Sequence, residues 1–279
     1  MTIEYDQLTV HNFGELARFI EDYSGIRMPP DKQTMVEGRL RRRVRALGLT
    51  SLHQYCHFLF EEDGLDDEAI HLIDAVSTNK TDFFREPDHF RFLAETVLPA
   101  LAAAGAGSER PFKIWSAPCS TGAEPYTMAM VIDDWAQNRR GFRFDILGTD
   151  ISTKVLEATL RGIYPEDMIE PVPPHFRRRY FLRARDAARQ EVRVIPELRR
   201  RVSCGRLNLM DEKYPVGDMD VIFCRNVLIY FDKPTQRKVL TRLSSHLPEG
   251  GYLFVGHAET LAGFDLPLRQ VASAVFLRV

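Results

Sequence analysis

The sequence predicts an α/β protein: a sheet of short strands alternating with helices, preceded by a small all-α domain and interrupted by a small antiparallel β insertion. Three observations carry this. From Leu8 to about Phe84 apolar residues recur at helical spacing with no strand-like alternation. From Phe112 onward the period becomes strand, helix, strand, helix, and a Pro- and Arg-rich stretch breaks that alternation once.

In chain order, FGELARFIEDYSGI places Phe13, Leu16, Ala17 and Ile20 on one helix face, and DDEAIHLIDAVS begins with acids, as a helix N-terminus favours. GRLRRRVRALG is the densest charge run. At ~100° per residue Leu40, Val44 and Leu47 share a narrow arc that should pack, while Arg39, Arg41, Arg42, Arg43 and Arg45 should face outward. EPDHFRFLAETVLPALAAAGAGSERP reads as a helix dissolving into a small-residue linker, and the domains are expected at 1–88 and 89–279. The strands FKIWSAP, FDILGTD, MDVIFCRN and GYLFVGHA alternate with helices from Glu124, about Ser152 and Pro234, and RQVASAVFLRV closes the chain. Short apolar strands separated by helices imply a parallel sheet covered on both faces. Within about 162–201, RRYFLRARDAARQEVRVI reads as two short strands around a turn.

Composition bounds the function. With 279 residues, 44% hydrophobic and 27% charged, the chain can bury one large core and a smaller one. A formal net charge of -2 gives no global basic field for nucleic acid, so a charged partner must be met by a local patch. Cys56, Cys119, Cys204 and Cys224 lie far apart without zinc-type spacing, so reduced thiols and no metal are expected. The N-terminus has no basic start followed by an apolar core, and no run approaches the ~20 apolar residues of a membrane span. A cytoplasmic protein, monomeric by default, is the expectation.

In open α/β sheets ligands bind at the carboxyl ends of the strands. After the first strand comes a loop of Ser116, Ala117, Cys119, Ser120, Thr121 and Gly122, with Glu124 opening the helix. Asp150 ends the second strand, and Asn208 and the pair Arg225 and Asn226 follow later ones. A pyrophosphate would want several glycines and no nearby anion; this loop has one glycine and Glu124. A carboxylate at the end of the second strand suits two ribose hydroxyls. A ligand with a ribose, an adenine and a cation fits better, as in S-adenosylmethionine. Glu124 alone would equally complement its helix dipole.

STNKTDFFREPDHF, WSAPCSTGAEPYTMA, ILGTDIS, RLNLM and FCRNVLIYFD resemble, in order, the motifs of the chemotaxis receptor methyltransferases (the CheR family), over nearly the whole chain. The resemblance implies a Rossmann-like, S-adenosylmethionine-dependent methyltransferase sheet. It also implies the reaction: methyl transfer to glutamate side chains on the cytoplasmic helices of chemoreceptors, giving methyl esters and S-adenosylhomocysteine. By the same resemblance Asn79, Thr81 and Arg85 reach the cofactor from the domain junction and Glu124 binds its ammonium. Asp150 takes the ribose, Asn208 and Leu209 the adenine edge, and Arg225 with Asn226 the methionine end. Each has a plainer role open to it: Asn79 and Thr81 as cap and turn, Arg85 paired with Glu86 or Asp88.

A glutamate carboxylate is already deprotonated at neutral pH, so no catalytic base is required. Arg85 and Tyr230 are the candidates for orienting it, although the Tyr230 ring could simply pack. Arg39, Arg42, Arg43 and Arg45 are expected to meet an acidic receptor bundle, since the resemblance puts substrate recognition on the N-terminal domain. In relatives the β insertion can dock a receptor C-terminal pentapeptide, and those that do so tend to carry a glycine in the hairpin loop. RARDAARQE has none, so no such docking is expected. The rivals are a nucleic-acid methyltransferase and a module that senses S-adenosylmethionine without turnover. Against the first stand the net charge and the absence of an Asn/Asp-Pro-Pro-aromatic motif.

Overall fold

The computed structural model describes residues 6–186 and 188–279. The first five residues, within the stretch read as lacking a targeting signal, and Ala187 of the hairpin loop lie outside the described residues.

Helices α1 (Val10–Ser24), α2 (Gln33–Ala46), α3 (Leu52–Glu61) and α4 (Leu65–Val76) form the N-terminal domain. The Thr9 hydroxyl starts α1 by accepting the Asn12 N–H at 3.1 Å. Gly25 ends it with φ 74, and a Cβ there would stand 2.8 Å from Met210 Sδ, so glycine lets this helix end dock against the second domain. Leu16, Ile20, Leu40, Leu52 and Tyr55 are fully buried in the domain core. Leu47 does not join the packed arc and is exposed, because α2 stops at Ala46 and the chain turns at Gly48, φ 70.

Helical structure ends at Val76 rather than near Phe84. Ser77 is extended, and residues 77–86 form an irregular linker. The cause is Phe83, whose fully buried ring packs edge-on against Tyr164 and Phe181 of the larger domain. That burial contributes about 2 kcal/mol and is incompatible with one more helical turn on α4.

The linker leads into α5 (Pro87–Phe92), a π turn over Leu93–Val97 and α6 (Leu98–Ala103). Then follow β1 (Phe112–Ser116), α7 (Ala123–Ala136), β2 (Phe144–Asp150), α8 (Thr153–Arg161), β3 (Ile163–Pro165), α9 (Pro174–Tyr180), β4 (Phe181–Arg183), β5 (Glu191–Val194) and α10 (Pro196–Arg199). The chain closes with β6 (Val202–Arg206), β7 (Val221–Cys224), α11 (Lys233–Ser245), β8 (Tyr252–Val255), β9 (Leu268–Ala272) and β10 (Val275–Arg278).

The main sheet has seven strands in the order β6-β2-β1-β7-β8-β10-β9. β6 through β8 run parallel, whereas β10 is antiparallel to both β8 and β9. The sheet is therefore mixed, not wholly parallel. RQVASAVFLRV folds into two strands around Ser273 and Ala274, and a two-residue connection can join only antiparallel strands. In β1, Ile114 enters the core on one face with Tyr126 and Phe223, while Trp115 enters the other with Ile222 and Leu240. Both faces are covered, as expected.

The insertion is a three-stranded antiparallel sheet, β3-β5-β4, rather than two strands. The added strand begins directly after Gly162. Tyr164, Phe176, Tyr180 and Val194 bury the insertion in the same core as α7.

Candidate active site

β1 lies between β2 and β7, so the strand order reverses at β1 and a crevice opens at the carboxyl ends of these strands. A cleft of about 340 Å³ occupies that place, roofed by the 77–86 linker and by Ile26, Met28 and Met35 of the N-terminal domain. Small-molecule sites are of this size, ~300–1,000 Å³.

The loop after β1 needs its single glycine. Gly122 has φ 91, and a Cβ there would come within 2.8 Å of Thr159 and the Tyr164 hydroxyl. Ser120, also left-handed at φ 48, donates its N–H to Asp150 Oδ2 at 2.9 Å. The Ser152 N–H reaches Asp150 Oδ1 at 3.0 Å. Burial pushes the Asp150 carboxyl up to about 6 despite these bonds.

At the other end of the cleft Arg225, with a side chain 2% exposed, bridges two acids. It donates to Glu124 at 2.8 Å, to Glu86 at 2.9 Å and to the Arg85 carbonyl at 2.6 Å. Its guanidinium also lies over the rings of Phe90 and Phe223. Glu124 accepts the Ser116 hydroxyl at 2.7 Å; burial raises its pKa, against the pull of Arg225. Burial also acts to raise Glu86, but the bond and charge of Arg225 outweigh it and hold that carboxyl below its ordinary value. Asn226, at φ 59, donates its N–H to Glu259 at 2.9 Å and its side-chain amide to Glu86 at 3.3 Å.

Asn79, Thr81, Arg85, Glu124, Asp150, Arg225, Asn226 and Tyr230 thus line one cleft. The Asn79 carbonyl accepts the Ser120 hydroxyl at 2.8 Å. Arg85 pairs with neither Glu86 nor Asp88; its guanidinium donates to the Lys80 carbonyl at 3.3 Å, and Asp88 pairs with Arg91.

Asn208 and Leu209 line a smaller apolar extension with Pro118, Ile151, Leu207 and Val227. The Asn208 side chain is committed elsewhere, donating to the Tyr23 carbonyl at 2.6 Å and accepting the Met210 N–H at 3.0 Å. The rest of this corner is mainly apolar.

The arginine run divides. Arg42 and Arg45 are exposed. Arg39 instead donates to the carbonyls of Val76 and Ser77 at the end of α4, and Arg41 to the Asp6 carbonyl. Arg43 makes a two-pronged pair with buried Glu68 at 2.6 and 2.7 Å, which raises its pKa. The expectation that all five face outward is corrected: residues four apart share a helix side, and Arg39 and Arg43 fall on the side that α4 covers.

The sequence reading missed Glu86 and Glu259 as parts of the site. Glu86 stands directly before Pro87, where a cap is the ordinary role. Glu86, His89 and His257 are the one trio of potential metal ligands found among the described residues.

The donor set fits a cationic nucleoside. Asp150 is an ionisable acceptor almost out of water, suited to hydroxyl donors, and Glu86 and Glu124 share a single guanidinium, leaving a negative surplus.

Residues 11–77 match the family described as CheR methyltransferase, all-alpha domain, and residues 79–277 match CheR methyltransferase, SAM binding domain. A chemotaxis protein methyltransferase of Borreliella burgdorferi is 39% identical over 259 residues, 92% of this chain and 90% of that protein. The chemotaxis protein methyltransferase of Escherichia coli is 38% identical over 255 residues, 91% and 86% of the two chains. Chemotaxis protein methyltransferase 2 of Pseudomonas aeruginosa is 36% identical over 269 residues, 96% and 93%. The two matched regions meet at the linker that roofs the cleft, and together with these relatives they establish that the chain belongs to the CheR family, S-adenosylmethionine-dependent methyltransferases of chemotaxis.

Proposed function

We propose that the enzyme methylates glutamate side chains on the cytoplasmic helical bundle of chemoreceptors. The observation that carries this is the rim of the cleft. Arg27, Lys32, Lys80 and Arg85 line it, Arg27 paired with Glu21 and Lys32 with Asp31, and Asp82 is the one exposed acid among the lining residues. Such a mouth attracts a carboxylate and helps remove its water.

A carboxylate acceptor is already ionised at neutral pH and needs no proton acceptor. When bound, S-adenosylmethionine supplies a methyl group on a positively charged sulfur. The chain's part is to orient and desolvate. Asp150 takes the ribose hydroxyls, Asn208 and Leu209 with their apolar neighbours the adenine, and Glu124 the ammonium. Arg225 and Asn226 face the methionine end, Asn79 and Thr81 close the cleft from the linker, and Arg85 and Tyr230 align the incoming carboxylate, ideally ~3 to 3.5 Å from the methyl.

The N-terminal domain, 1–88, would meet the receptor through the exposed Arg42 and Arg45, and 89–279 would carry the chemistry. We assign this action to the cytoplasm and to a monomer, with no receptor-tail pentapeptide on the β insertion.

The test is methyl transfer from labelled S-adenosylmethionine to receptor-containing membranes and, in parallel, to total RNA. Mild base should release volatile methanol from the membranes alone. Base-stable label on RNA would defeat the reading, and cofactor binding without any transfer would favour a sensor.

A further inference from the structure

Glu86 has a conformation that its position in the chain does not call for. It occupies the cap position of α5 with φ 57, a left-handed backbone that a non-glycine residue adopts at a cost, and its side chain does not cap the helix. The carboxylate turns inward instead. Oε2 accepts from Arg225 at 2.9 Å and from the His257 N–H at 3.2 Å, while Oε1 accepts the Asn226 amide at 3.3 Å. Asn226, whose amide it contacts, is also left-handed, at φ 59. Glu259 accepts the N–H groups of Gly256, Asn226 and Ile229, buried His89 is neutral near pH 7, and Arg225 Nε is buried without a hydrogen-bond partner among the described residues.

We propose that Glu86 is a positioning residue for the amino-acid end of the cofactor, holding Arg225 and Asn226 in place when the ligand's ammonium takes Glu124. This rests on the assignment of the methionine end to Glu124 and Arg225 made above. Arg225 uses Nη1 for Glu124 and Nη2 for Glu86 and the Arg85 carbonyl. An ammonium arriving at Glu124 adds a second cation beside the guanidinium. With the Glu86 charge on its far side, Arg225 stays where it is; without that charge, Arg225 competes for Glu124 and the two cations repel. Glu86 acts through Arg225 and has no part at the nucleoside end.

Calorimetry with two ligands tests this on the whole enzyme. S-adenosylhomocysteine carries the amino-acid end, and 5′-methylthioadenosine lacks it. Glu86→Gln should raise the Kd of S-adenosylhomocysteine about tenfold or more and leave that of methylthioadenosine within about twofold. Unchanged affinity for S-adenosylhomocysteine overturns the proposal, as does an equal loss for both ligands, since a general structural role would give that. Glu86→Asp, which keeps the charge and loses reach, should fall between wild type and Glu86→Gln; if Glu86→Gln does not fold, Glu86→Asp against wild type is read by the same two-ligand criterion. Glu124→Gln separates the two possible failures. If it too leaves S-adenosylhomocysteine unaffected, the placement of the methionine end is wrong and the proposal falls with it. If it weakens binding while Glu86→Gln does not, only the role of Glu86 is lost.

Discussion

Ser120 ties Asp150 to the domain junction: its N–H donates to the Asp150 carboxylate at 2.9 Å and its hydroxyl to the Asn79 carbonyl at 2.8 Å. The acid at the end of β2, the turn after β1 and the interdomain linker are thereby held in one arrangement. A change at any of them should be felt at the nucleoside end of the cleft.

The first prediction concerns Asp150. Asp150→Ala should weaken S-adenosylhomocysteine about tenfold in calorimetry, the loss of one good charged acceptor. Burial raises the folded-state pKa from 3.8 to about 6. The folded chain therefore holds a proton that the unfolded chain has released across that interval. This group's contribution to stability is fully present below 3.8 and is lost as pH rises through about 6. Ligand binding has the opposite sign, because hydroxyl donors favour the ionised carboxylate. Affinity should rise with pH through about 6 and then level off, and Asp150→Ala should flatten that profile. A wild-type affinity independent of pH from about 5 to about 7, one unit either side of that value, would remove the ribose assignment.

Arg42 and Arg45 should behave differently from Arg43. Reversing the charge of the two exposed arginines should spare cofactor affinity and melting temperature and reduce receptor methylation, most at low salt, where screening is weak. Arg43→Ala leaves the Glu68 carboxylate, 3% exposed, with the Tyr55 hydroxyl as its remaining partner. It should cost about 3 kcal/mol of stability, read in denaturant unfolding. Equal instability in both variants would mean that the exposed pair is structural as well.

Much of the site was legible because strand ends announce themselves. The alternation of apolar strands and helices gives the carboxyl ends of β1, β2 and β7, and the polar residues there, Glu124, Asp150, Arg225 and Asn226, converge on one cleft. Partners chosen by tertiary packing were not legible. Nothing in REPDHF says that Glu86 will adopt a left-handed backbone and turn from the helix it precedes towards Arg225, 139 positions away. The helical region was read too far, to about Phe84, for the same reason, since Phe83 prefers the aromatic core of the larger domain to a helical turn. The third strand of the insertion was missed because Ile163–Pro165 is too short to show alternation.

Gly122 should tolerate no side chain. At φ 91 an alanine is strained before any contact is counted, and its Cβ would meet Thr159 at 2.7 Å. Gly122→Ala is expected to lower stability by about 2 kcal/mol or more and to weaken cofactor binding by displacing Ser120 and Glu124. Differential scanning calorimetry with and without S-adenosylhomocysteine reads both. A variant with unchanged melting temperature would show that the loop has room that the structure denies it.

Tyr230 gives the sharpest test of how the acceptor is aligned. It ends the 3-10 turn Leu228–Tyr230, which Gln236 fixes by donating to the Leu228 carbonyl at 2.8 Å. Its ring is half-buried at the cleft, and its hydroxyl has no hydrogen-bond partner among the described residues. A rigidly held donor with no partner of its own can orient a carboxylate at little conformational cost. Tyr230→Phe keeps the ring and removes only that donor. It should lower kcat for receptor methylation about tenfold while leaving the Kd of S-adenosylhomocysteine within about twofold. If kcat is untouched, the ring merely packs and Arg85 carries the alignment. If cofactor affinity falls in step with kcat, Tyr230 belongs to the cofactor's site and not to the acceptor's.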